Sequence, residues 1–203
     1  MSVLEQSWAR AWSGLGLEGN GEDIHQQLLA AWSEPHRRYH TLQHLSECVL
    51  ALEPVRSMAP HIAEIEFALW FHDAIYDVKR SDSEARSADW ARAVLEKAGA
   101  TIESTRLVHD LVMITKHDAL PHTLDAQILV DVDLSILGAD EPRFAEFELQ
   151  VRQEYSFVPG FLFRMKRRSI LRTFLEREFI YSTVYFRERL EQLARRNLEL
   201  AVS

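Results

Sequence analysis

Apolar residues recur along this chain at intervals of three and four, the period of an amphipathic helix, and no stretch alternates convincingly as a strand would. The pattern predicts a first helix over roughly residues 2–14, a break from Gly14 to Gly21, and a second helix over about 23–33. That helix stops at Pro35, because the residue ahead of a proline is driven out of the helical region. A third helix is expected to begin near His40 and to run through LQHLSECVLAL to about Leu52. A fourth starts around Pro60, as a first-turn proline, and carries IAEIEFALWFHDAIY. Ser81 and Glu84 have capping-box spacing ahead of Ala88, Ala91, Val94 and Leu95, which predicts a helix from about 82 to 98.

Further helices are expected over 102–115, 125–137, 141–157, 163–176 and 179–200. Asp140 is placed to cap the helix that opens with Glu141 and Pro142. Phe186, Leu190, Leu193, Ala194 and Leu198 give the last helix an apolar stripe for an antiparallel partner. Within 125–137, DAQILVDVDLSIL also contains short alternation that reads as a strand. Trp8, Trp12, Trp32, Trp70 and Trp90 are read as core, since aromatics dominate burial. The expected fold class is all-α, a single domain over 1–203.

Composition narrows this without changing it. A chain of 203 residues suits one domain and can bury a sizeable core without staples. Seven glycines and six prolines leave little room for the many turns of a sandwich or barrel. Cys48 is the sole cysteine, so no intramolecular disulfide forms. The formal net charge of −8 argues against polymeric nucleic acid as a partner, since phosphate contacts demand a basic face. A small anionic substrate stays open, because a bound cation can reverse the local field. No run of about 18 apolar residues exists, so no membrane span is expected. The opening MSVLEQSWARAWSGLG lacks the apolar core of a signal peptide, and the expected location is the cytoplasm.

Three clusters carry candidate chemistry. In Tyr39-His40-Thr41-Leu42-Gln43-His44, a helix start would put His40 and His44 on one face, with about 5–6 Å between Cβ atoms. Either histidine alone also reads as a capping or surface residue. His72-Asp73 ends the apolar run ALWF, where a buried carboxylate needs a partner; a metal ion would neutralise it and take the imidazole lone pair. The alternative is a buried histidine hydrogen-bonded to a neighbour. Asp131 and Asp133 lie in ILVDVDLSILG and diverge by about 200° on a helix, so only one would face a given site. Two imidazoles and two carboxylates form a mixed nitrogen and oxygen site that suits Mn, Fe, Zn, Mg or Co.

In this order of residues the chain resembles the HD superfamily of metal-dependent phosphohydrolases, whose signature is H…HD…D on a helical bundle. The resemblance implies an HD-type bundle with a metal-site core over about 36–138 and C-terminal helices, about 141–200, packed on it. It implies His44, His72, Asp73 and Asp133 as ligands of a divalent ion, with Ni added to the metals above. Tyr39-His40 with His44 is similar to the YHxxxH element of the cyclic-nucleotide phosphodiesterase branch, which implies His40 as general acid. Asp133-Leu134-Ser135 is similar to that branch's closing Asp-Leu-Ser, which favours Asp133 over Asp131. A small bacterial group of predicted HD-superfamily phosphohydrolases is similar through RRYHTLQHL, FHDAIYD, SDSEARSA, ITKHD, DVDLSILG and VRQEY, covering most of residues 34–200.

The implied activity is hydrolysis of a small phosphorylated substrate, a nucleotide among the candidates, by a metal-activated water. Asp73 would bind metal and orient the water, and His40 would protonate the leaving group. Lys79, Arg80, His117 and Arg152 are candidate substrate contacts, with Glu154 and Tyr155 walling the pocket. The plain alternatives are solvated loop charges, a helix-end histidine, surface charges and a core tyrosine. Glu84 is read as a cap or as support for His40 or His72, and Lys166-Arg167-Arg168 as a solvated helix face. Two rival functions are a non-catalytic nucleotide-binding or regulatory module, and an HD-type di-iron oxygenase drawing extra ligands from His109, His117 or His122.

Overall fold

Side-chain oxygens of Ser2, Thr41, Thr101, Thr123 and Asp140 each accept an N–H from the first turn of the helix that follows, so five helix starts are encoded locally. The computed structural model describes residues 1–203 and contains ten α-helices, two 3₁₀ turns and no strand. The helices are α1 (Val3–Gly14), α2 (Glu22–Trp32), α3 (Leu42–Leu52), α4 (Ile62–Phe71) and α5 (Ser83–Ala98). They continue as α6 (Ile102–Ile114), α7 (Leu124–Asp133), α8 (Glu141–Glu154), α9 (Gly160–Leu175) and α10 (Val184–Val202). The all-α expectation holds, and no helix is long and apolar enough to cross a membrane.

The centre of the bundle is α4. Every residue from Ile65 to Phe71 is buried, and Glu66, the one charged residue among them, is paired with Arg10 and Arg56. Helices α1 and α6 pack on it, α5 packs on α6, and α3 lies against α7. One continuous cluster of buried apolar side chains runs from Trp8 to Leu198. Helix α10 runs antiparallel to α9, with Arg195 bonded to the Leu175 carbonyl and Arg168 to that of Ser203.

Several expected boundaries move, each for a local reason. His40 precedes α3 rather than opening it, because the Thr41 hydroxyl caps the helix from outside. Pro60 stands before α4, whose first flanking residue is His61, so it is not a first-turn proline. No capping box joins Ser81 to Glu84: Asp82 precedes α5, and the Ser83 hydroxyl instead accepts the Asp77 N–H. The segment with strand-like alternation is helical to Asp133 and then tightens into a 3₁₀ turn over Leu134–Gly138. Helix α10 starts at Val184, five residues later than 179, because residues 180–183 are held in an extended turn. Trp90 is half-buried, edge-on to Phe71, whereas the other four tryptophans are buried.

Asp131 explains that turn. Its buried carboxylate accepts the N–H groups of Ser182 and Thr183 and the Thr183 hydroxyl, each at 2.7 Å. It thereby pins the start of α10 to α7, and two residues on, Asp133 points elsewhere.

Candidate metal centre

Four residues from three helices converge at α4's C-terminal end. His44 comes from the first turn of α3, His72 and Asp73 follow α4, and Asp133 ends α7. His44 Nε2 lies 3.2 Å from His72 Nε2 and 3.2 Å from Asp133 Oδ1. His72 Nε2 lies 3.1 Å from Asp73 Oδ2 and 3.5 Å from Asp133 Oδ1, and Asp73 Oδ2 is 3.8 Å from His44 Nε2. The two imidazoles are buried. His72 Nδ1 donates to the Leu69 carbonyl at 2.8 Å, which leaves its Nε2 facing the cluster.

Burial disfavours the charged carboxylates, yet both are held below their ordinary range: Asp73 chiefly by His72 and His40, Asp133 by His117, His44 and His72. Burial also opposes charge on His72, but the two carboxylates outweigh it and raise that imidazole well above its ordinary value. Two partly buried anions thus face each other across two buried imidazoles, a donor set that fits a divalent cation.

Cys48, which the sequence argument did not count among the ligands, lies one turn beyond His44. His44, Cys48, His72 and Asp133 offer ligand atoms within 4.8 Å of one another, so this buried group could hold a metal ion. The Cys48 sulfur, however, is 3.7 Å from His44 Nδ1 and 3.8 Å from Nε2. Being equidistant from both nitrogens, it sits beside the ring rather than in front of the Nε2 lone pair. Asp73 Oδ2 lies 3.1 Å from His72 Nε2 and 3.8 Å from His44 Nε2. A cleft of about 190 Å³ opens beside His44, Cys48 and Asp133 and is bounded by Glu47 and Arg143, which pair at 2.7 Å.

At the rim, His40 Nε2 approaches Asp73 Oδ2 to 3.9 Å. Its Nδ1 bonds Glu154 Oε2 at 2.8 Å. Glu154 also accepts the N–H groups of Arg38, Tyr39 and His40 on Oε1, and the Tyr76 hydroxyl on Oε2. Burial alone would raise this carboxyl, but the His40 bond and charge, with the Arg38 N–H and Tyr76, hold it at about 2. Arg37 closes the same turn from below, donating to the carbonyls of His40, Asp73 and Ala74.

His117 also reaches the cluster, with Nε2 2.9 Å from Asp133 Oδ2. Its backbone has φ of 59°, a left-handed conformation rare outside glycine, so the chain holds strain at this position. The other candidate contacts lie elsewhere. Arg80 pairs with Asp82, and Lys79 sits over the Phe157 ring. Arg152 donates to the carbonyls of Tyr155 and Val158 and so caps the end of α8. Glu84 makes no hydrogen bond to His40 or His72, and His109 faces Asp89 and Asp110. Arg167 is paired with Glu148. Comparison with protein-family models, with curated proteins and with solved structures finds no match.

Proposed function

We propose that this protein is a metal-dependent phosphohydrolase of the HD type, acting in the cytoplasm on a small phosphorylated substrate such as a nucleotide. The observation that carries this reading is the convergence of His44 Nε2, His72 Nε2 and the carboxylates of Asp73 and Asp133, with a carboxylate-oriented histidine at their rim. These four residues would hold the ion, which is one of Mn, Mg, Fe, Zn, Co or Ni. A divalent cation there supplies Lewis-acid polarisation of a phosphoryl oxygen and a nucleophile from water near neutral pH.

The remaining work falls to the chain's own residues. Asp73, between the histidines and His40, orients the attacking water. His40 Nε2 faces outward beside Asp73, at the place where a leaving oxygen needs a proton. Glu154 fixes the tautomer, since Nδ1 must be the protonated nitrogen that donates to a carboxylate. His117 fixes the second oxygen of Asp133 and so sets which oxygen faces His44.

A turnover screen tests the reading directly. p-Nitrophenyl phosphate, bis(p-nitrophenyl) phosphate and a panel of nucleotides are each assayed with Mn²⁺, Mg²⁺, Co²⁺ and Ni²⁺. At least one ester is expected to be cut in a metal-dependent manner that EDTA abolishes and Asp73→Ala eliminates. If no metal supports turnover, and Asp73→Ala leaves the bound metal unchanged, the reading fails.

A further inference from the structure

Helix α9 leaves most of its surface to solvent, and of its 16 residues only Leu171 and Phe174 are buried. Just before it and along it, Phe157, Phe161, Leu162, Met165 and Ile170 are exposed, Phe161 by 65% and Met165 by 53%. Leu162, Met165 and Ile170 share an open groove of about 350 Å³ with Val151 and Tyr155 of the α8 end. Single exposed apolar residues are ordinary, but a group of them marks a surface that something else covers.

The charge around this group says what covers it. Residues 155–175 hold Arg164, Lys166, Arg167, Arg168 and Arg172 and no acidic residue, in a chain whose formal net charge is −8. Arg167 pairs with Glu148, whereas Arg164, Lys166, Arg168 and Arg172 are exposed and none meets a carboxylate. At about 100° per residue, Phe161, Met165 and Leu162 occupy the middle of the exposed arc. Arg164 and Arg168 then flank them on one side and Lys166 on the other. A second copy packed across α9 would set these unpaired cations against one another, which opposes association. An anionic bilayer does the reverse. Its acyl boundary takes the apolar side chains, while the arginine and lysine stems reach back to the headgroup phosphates.

We propose that α9 docks the protein on the surface of an anionic lipid bilayer, with Phe161, Leu162 and Met165 entering it and Arg164, Lys166 and Arg168 meeting lipid phosphates. No helix is long and apolar enough to cross a membrane, so α9 lies along the surface. The proposal stands apart from the proposed activity, because α9 supplies none of the residues of the metal cluster.

Co-sedimentation of the full chain with vesicles tests it, comparing phosphatidylcholine alone with an equimolar mixture of phosphatidylcholine and phosphatidylglycerol. Binding to the anionic vesicles is expected to be about tenfold or more tighter than to the neutral ones, and raised salt should release the protein. Each cation near the surface contributes about fivefold, so Lys166→Gln with Arg168→Gln should weaken binding by about 25-fold. Phe161→Ser with Met165→Ser should weaken it by about tenfold or more, with the circular dichroism spectrum unchanged. Equal binding to the two kinds of vesicle, or binding that survives both double variants, overturns the proposal. Binding to neither also overturns it and leaves an acidic protein surface as the occupant. A dimer seen by light scattering that Phe161→Ser with Met165→Ser dissolves overturns it as well and assigns the face to a second copy.

Discussion

Glu154→Gln is expected to lower turnover by roughly 10²–10⁴-fold, matching His40→Ala, while bound metal is retained. Glutamine keeps an acceptor for the three N–H groups of residues 38–40. It replaces Oε2 with an amide that donates, so His40 Nδ1 loses both its acceptor and the negative partner for its charged form. A second readout separates this role from simple packing. The Glu154 carboxyl stands at about 2 against an ordinary 4.5, a difference worth about 3 kcal/mol.

Because the folded value is depressed, that stabilisation is present above pH 4.5 and is lost as pH falls through the folded value. The stability gap between wild type and Glu154→Gln should therefore be constant above about pH 5 and shrink between about 4.5 and 2. Denaturant titrations across that window check it. A gap that does not narrow, or a variant with wild-type turnover, contradicts the assigned part.

Arg37→Met is expected to destabilise the fold by about 3–5 kcal/mol. The guanidinium is fully buried between Trp32 and Tyr76 and bonds three main-chain oxygens, at 2.7 Å to Asp73, 2.9 Å to Ala74 and 3.2 Å to His40. Methionine fills much of the volume but leaves those carbonyls without donors, each costing about 1–3 kcal/mol. Lysine restores only a point charge and should recover part of the loss. Two of these carbonyls belong to His40 and Asp73, which lie at the candidate metal site, so the variant should also weaken metal retention. Urea denaturation measures the first effect; a loss below about 1 kcal/mol would show that Arg37 is not the clamp.

Much of this was legible in the sequence because it is local. Helix starts at Ser2, Thr101, Thr123 and Asp140 follow from one polar side chain and the turn after it. The apolar run before His72 announces a central helix, and helical divergence separates Asp131 from Asp133. What escaped is long-range. Glu154 lies 114 residues from His40, and no periodicity links them. Arg37 likewise becomes a clamp only when α4 ends beside it. Cys48 had a usable signal, the four-residue spacing from His44, which puts both on one face of α3. His40 was expected on that same face and reaches the site from the turn outside it, since Thr41 takes the capping position.

Metal content by inductively coupled plasma mass spectrometry, after loading in turn with Mn²⁺, Mg²⁺, Fe²⁺, Zn²⁺, Co²⁺ and Ni²⁺ and removal of excess ion, tests the central claim most directly. The wild type is expected to retain about one ion per chain, as one set of four nitrogen and oxygen donors implies. His72→Ala and Asp133→Ala are expected to lose it, while His40→Ala and Cys48→Ala keep it. A wild type that retains none of the offered divalent ions, or a His72→Ala protein that holds its ion as firmly as the wild type, would contradict the account.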